Sequence, residues 1–227
     1  MSLVLHDVAC RHRHKLVIEG VSATFGPGLS AIAGANGAGK TTLLRAIAGL
    51  HPLASGRVAG NENPALLGFL PQRTDIDRRF PLSCRDFAAL GTWSRTGAVS
   101  AIPVAESERI AAAFIRMGIA DLADRPIARL SSGQFQRLMF ARLIVQDTPI
   151  MLLDEPFTAV DAATESVLID QLLAWRDEGR VVVAVLHDHD MIRAFFPHTL
   201  LLGRGPAEFG ASGGVLAVEH RFPRSAA

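Results

Sequence analysis

The chain reads as an α/β protein built on a mostly parallel sheet, and three observations lead there. Four short apolar runs, 29–33, 150–153, 181–186 and 199–202, are each bounded by glycine, proline or a charged residue and show no polar alternation. Strands buried on both faces have this pattern. Between the runs lie segments with helical spacing, such as Leu168, Leu172 and Trp175 at i, i+4 and i+7. Finally, the glycine-rich stretch GANGAGKTT, 34–42, joins the first run to a helix-like segment, 43–48.

Composition fits that class. A length of 227 residues suits one sizeable domain with a real core. Hydrophobic residues make up 49% and charged residues 20%, a globular rather than a disordered balance. The formal net charge of +1 gives no electrostatic case for a nucleic-acid partner. The two cysteines, Cys10 and Cys84, lack CxxC spacing and fit a reducing compartment.

In chain order, 3–5 and 21–25 read as strands joined by the basic turn 11–15, forming a small antiparallel layer. The N-terminus thus reads as a strand and not as a secretory signal. The strand 29–33, the glycine-rich turn and a helix follow. From 73 to 146 the strand signals fade, and 106–117 and 134–145 look helical, which predicts a helical insert. Strand 150–153, the helix through Trp175 and strands 181–186 and 199–202 complete the sheet. The glycine-rich tail 203–227 carries no motif and is expected to add a sheet edge or to hang free. No run approaches the ~18 apolar residues of a membrane span, so a membrane role would come through a partner.

Three stretches carry chemistry. Gly34, Gly39, Lys40 and Thr41 satisfy G-x-x-x-x-G-K-[ST] between a strand and a helix. Glycines let the backbone curl so that successive N–H groups, over Asn36, Gly37, Ala38, Gly39, Lys40, Thr41 and Thr42, face the phosphates of a nucleotide. Lys40 would neutralise β- and γ-phosphate charge, and the Thr41 hydroxyl would ligate Mg²⁺. The strand 150–153 leads into Asp154, placed to sit beside that magnesium, and Glu155, placed to take a proton from attacking water. The third stretch, Leu130-Ser131-Ser132-Gly133-Gln134, is a turn at a helix start, by itself an ordinary N-cap.

Together these stretches closely resemble the ATPases of ABC transporters, whose signature is usually LSGGQ. Gln72 matches the Q-loop of that family, 158–161 the D-loop and His187 the switch histidine, in the family's order. The resemblance implies a P-loop, RecA-like core with an N-terminal antiparallel β layer, formed by 1–72 and 148–227, and a signature-bearing helical subdomain at 73–147. It implies ATP and Mg²⁺ as cofactors, with Thr41, Gln72 and Asp154 on the metal and Lys40, Gln72, Glu155 and His187 in catalysis. Two copies would meet head to tail, so that Ser131, Gly133 and Gln134 of one subunit clamp the γ-phosphate held by Lys40 of the other, while Asp161 links the two sites. Two departures stand out. Ser132 replaces a signature glycine, and His12 occupies the place of the aromatic residue that stacks on adenine, in a chain with no tyrosine. A metal-binding or solvated turn is the alternative reading of 12–14.

The segments 75–83, 152–157 and 186–188 look like those of ATPases serving bacterial zinc and manganese importers. That likeness implies membrane permease partners, a periplasmic or surface metal-binding protein acting indirectly, and a cytoplasmic location on the inner membrane face. Zinc is the first expected cargo, manganese or iron next. A soluble ATPase of iron-sulfur cluster assembly and the ATPase of an exporter are the alternatives.

Overall fold

The computed structural model describes residues 1–12, 15–97, 101–203 and 205–219. The antiparallel layer expected at the N-terminus is present, and it has three strands. Strand β1 (Leu3–His12) pairs antiparallel with β2 (Lys15–Phe25) on one side and, on the other, with a strand near residue 56 that the apolar runs did not reveal.

Strand β3 (Gly28–Gly34) then enters the main sheet and runs into helix α1 (Lys40–Ile47). The third strand of the small layer is β4 (Leu53–Ala59), and β5 (Leu67–Leu70) opens the main sheet's far edge. Among the described residues four α-helices follow: α2 (Cys84–Ala89), α3 (Trp93–Thr96), α4 (Val104–Arg116) and α5 (Ser132–Gln146). The expected helices at 106–117 and 134–145 are α4 and α5. After β6 (Ile150–Asp154) come α6 (Ala162–Asp177), β7 (Val181–Val185), α7 (His189–Phe195) and β8 (His198–Leu202). Strand β9 (Glu208–Ala211) and helix α8 (Ser212–Glu219) end the described chain, so the near part of the tail forms a sheet edge.

The main sheet has the order β5-β6-β7-β3-β8-β9, parallel except for β9, which pairs antiparallel with β8. Its central strands are buried on both faces, and the period of two sorts their side chains between two cores. Ile150 and Leu152 of β6 face Leu43, Leu44 and Ile47 of α1 and, with them, Leu3, Leu5 and Phe25 of the small layer. Met151 and Leu153 face the other core, with Leu138 and Phe140 of α5 and Leu168 and Trp175 of α6. There Phe140 and Trp175 stack with ring centroids 5.7 Å apart.

Because β3, β5, β6 and β7 run the same way, their carboxyl ends open on one edge of the sheet. The glycine-rich loop, Gln72, Asp154 with Glu155, and His187 follow those ends in turn. Parallel α/β sheets bind ligands at this edge.

Candidate nucleotide site

Two clusters of the expected residues form in one chain. In the first, the loop after β3 feeds the N-terminus of α1. Gly39, at φ 90°, is held where a Cβ would lie 2.7 Å from Ile18 Cδ1 and 3.2 Å from the Val17 carbonyl oxygen. Both the left-handed backbone and the close approach demand glycine there. The β2 residues Val17 and Ile18 therefore lie directly against the loop. Lys40 is 6% exposed, and its ammonium donates to the carbonyls of Gly34 at 2.8 Å and Ala35 at 3.0 Å.

Across the loop, the Thr41 hydroxyl donates to Asp154 Oδ1 at 3.0 Å, and Gln72 Nε2 donates to Thr41 Oγ1 at 3.3 Å. Asp154 is fully buried, and its Oδ2 has no hydrogen-bond partner among the described residues. Burial pushes its carboxyl up to about 6, opposed by the Thr41 bond and reinforced by the neighbouring charge of Glu155. A buried carboxylate with one orphaned oxygen, next to a hydroxyl and an amide, is an oxygen-rich donor set that suits a hard divalent cation.

Glu155 leaves β6 at φ 51°, which turns its side chain away from the strand line. Its Oε1 lies 2.9 Å from His187 Nε2, and its Oε2 accepts from the Thr158 hydroxyl at 3.2 Å. The sequence assigned roles to Glu155 and His187 separately; the fold joins them. Thr158 was missed as an individual partner, although it sits in the matched stretch 158–161.

The second cluster begins with Ser131, the N-cap of α5. Its hydroxyl accepts from the Gln134 backbone N–H, while Gln134 Oε1 accepts from the Ser131 N–H, a complete capping box. Ser132 is the exposed first residue of that helix. A Cβ on Gly133 would lie 2.8 Å from Thr164 Oγ1, so α5 and α6 pack too closely there for a side chain. Asp161 caps α6 by accepting from the Thr164 N–H at 2.7 Å. The Thr164 N–H and hydroxyl hold the Asp161 carboxyl below the usual range. Ser131, Gly133, Gln134, Arg137, Asp161 and Thr164 line a cavity of about 300 Å³. Within one chain the signature residues thus lie beside Asp161, while Lys40, Asp154, Glu155, Gln72 and His187 belong to the first cluster.

His12 is exposed at the end of β1, paired with Lys15 in the hairpin whose Ile18 touches Gly39. His51 Nε2 lies 2.8 Å from the carbonyl oxygen of the adjacent Arg11. The expectation for His14 lies outside the described residues. Among the described residues no group of three or more His, Cys, Asp or Glu side chains is placed to hold a metal ion.

The ABC transporter profile matches residues 18–158, which span the glycine-rich loop, Gln72, the signature and the Asp154-Glu155 pair. The chain belongs to the ABC transporter family. It binds ATP and is an ATPase. The manganese transport system ATP-binding protein MntB of Bacillus subtilis (strain 168) is 35% identical over 222 residues, covering 95% of this chain and 89% of the relative. The zinc transport system ATP-binding protein TroB of Treponema pallidum (strain Nichols) is 37% identical over 202 residues, covering 86% of this chain and 76% of the relative. Among solved structures, an inward-facing ABC transporter of metal-chelate type superposes with a TM-score of 0.85 at 25% identity, covering 95% of this chain and 85% of that one. A nucleotide-free ATP-binding cassette superposes at 0.82 with 17% identity, covering 99% of this chain and 97% of that one, and shows the same fold. Among the described residues no helix is long and apolar enough to cross a membrane.

Proposed function

We propose that this chain is the ATP-hydrolysing subunit of an importer of divalent transition metal ions, with zinc the first cargo and manganese or iron next. The observation that carries the catalytic part is the line Gln72–Thr41–Asp154, which ends in an orphaned carboxylate oxygen beside the phosphate loop, with Glu155 and His187 paired next to it. The relatives named for manganese and for zinc transport support the cargo class without ranking the two metals.

In this reading the N–H groups of 36–42 and the Lys40 ammonium hold the phosphates of ATP. Thr41, Asp154 and Gln72 would hold Mg²⁺, which when bound screens phosphate charge and orients the β- and γ-phosphates. Glu155 accepts a proton from the attacking water, and His187 holds that carboxylate and the γ-phosphate in place. The signature residues line a cavity to which Lys40, Gln72, Asp154, Glu155 and His187 contribute nothing, which supports a head-to-tail pair in which each copy completes the other's site. Asp161, at the edge of the signature cavity, would link the two sites, and His12 would stack on the base. A groove of about 360 Å³ beside Gln72, lined by Phe69, Pro71, Ile76, Phe87, Leu90 and Arg142, would seat a helix of a membrane permease. The core halves 1–72 and 148–227 bind nucleotide, and 73–147 presents the signature. The chain would work at the inner membrane face, and a separate metal-binding protein and the permease would select the ion.

The test is uptake of zinc, manganese and iron by a strain lacking this gene, restored with the parent or with Lys40→Ala. Loss of one metal's uptake, rescued by the parent and not by Lys40→Ala, is the expected result. Unchanged uptake of all three metals overturns the importer reading.

A further inference from the structure

The segment between Gln72 and α2 reaches the signature loop by a route that no motif announces. Its backbone runs beside 123–127: Cys84 N–H donates to the Arg125 carbonyl, Arg85 N–H to that of Ala123, and Ile127 N–H to that of Leu82, with a bridge at Ser83 and Pro126. The side chain of Arg78 extends this lacing to the signature itself. Its Nε and Nη2 donate to the Ile127 carbonyl at 3.3 and 3.1 Å, and Nη2 also donates to the Leu130 carbonyl. Leu130 is the residue immediately before the Ser131 cap. The same guanidinium lies over the ring of Phe135, in the first turn of α5, with Cζ 4.8 Å from the centroid.

Arg78 therefore grips the signature from two sides, by the carbonyls that lead into it and by the first aromatic residue after it. The planar fork of arginine can do both at once, whereas a lysine ammonium offers neither the fork nor the flat face. Two residues earlier, Ile76 lines the groove beside Gln72. One short segment thus connects the groove wall to the N-terminus of α5.

We propose that Arg78 is the positioning residue of the signature loop, fixing its angle so that Ser131, Gly133 and Gln134 can close on nucleotide held by a second copy. The inference rests on the head-to-tail reading above. Because Arg78 acts on the signature and not on the phosphate loop, its loss weakens closure of the pair and leaves ATP binding by one chain intact.

The experiment uses the full chain in a Glu155→Gln background with ATP and Mg²⁺, reading the dimerisation midpoint by sedimentation equilibrium and the Kd for ATP at concentrations where the chain is monomeric. Arg78→Met is expected to raise the dimerisation midpoint about tenfold, the worth of its lost charged hydrogen bonds, with Kd unchanged. Arg78→Lys is expected to behave like Arg78→Met, and it decides the matter if Arg78→Met does not fold. A normal midpoint in the folded variant overturns the proposal. If the Glu155→Gln chain itself fails to dimerise with ATP, the head-to-tail reading falls and this inference falls with it.

Discussion

Asp154 is fully buried beside the phosphate loop, and its charge is costly there. A carboxyl raised from 3.8 to about 6 by burial disfavours the folded state by about 3 kcal/mol at neutral pH, because the unfolded chain ionises freely. The sign follows from linkage. The native state holds the proton more tightly, so the cost is full above the raised value and fades as pH falls from about 6 toward 3.8. Asp154→Asn is therefore expected to raise the thermal midpoint of the metal-free chain by several degrees at pH 7.5, with a smaller gain at pH 5 and no ATP turnover at either. Paired melting curves in a chelating buffer check this, and an equal gain at both pH values would show that ionisation is not the cause. Lys40 and Thr41 were legible in the sequence because strand, loop and helix carry their chemistry in adjacent positions, and Asp154 because it ends the buried apolar run 150–153. Thr158 and Arg78 were not legible as partners. A threonine hydroxyl near a carboxylate has no pattern of its own, and Arg78 meets acceptors 49 and 52 positions away.

Among the elements, the buried parallel strands announced themselves and the half-exposed ones did not. Strand β4 reads LASGRVA, with four consecutive exposed residues, one of them a glycine, so no apolar run marks it. Strand β5 is only four residues long and stops before Pro71. Its place is set by pairing with β6, a contact that sequence periodicity cannot report. The N-cap at the 130–134 turn was read from the sequence, and that of α2 was not. Ser83 begins α2 with a full capping box to Asp86, and neither residue belongs to either cluster of the candidate site. Ser83→Ala should cost about 1 kcal/mol, a fall of roughly 2–4 °C in a chain of this size, with ATP hydrolysis unchanged. Calorimetry beside an ATPase assay tests both halves, and a loss of turnover would assign the cap a part in the site.

For the molecule as a whole, the head-to-tail pair proposed above makes hydrolysis an event of two copies. Glu155→Gln keeps the side chain's size and removes its basicity. That variant should bind ATP, lose turnover by about a hundredfold or more, and accumulate as an ATP-bound dimer. Size-exclusion chromatography with and without ATP reads the dimer, and hydrolysis at the parental rate would remove Glu155 from the role of base. The overall architecture was recoverable from the order of motifs, which runs from the glycine-rich loop through the Asp154-Glu155 pair to His187, beyond the 18–158 that the family profile matches. The path from groove to signature was not, since it depends on how 76–84 lies against 123–130.

The pairing of β9 with β8 carries a colloidal consequence. Strand β8 has an interior of Thr199, Leu200, Leu201 and Leu202, and β9 occupies the edge where its backbone would otherwise meet solvent. An uncovered apolar edge is a template for pairing between molecules. The four residues of β9 are short, half exposed and include Glu208 and Gly210, a poor surface on which to grow further strands. Strand β9 thus gives the main sheet a short, half-exposed edge in place of the apolar edge of β8.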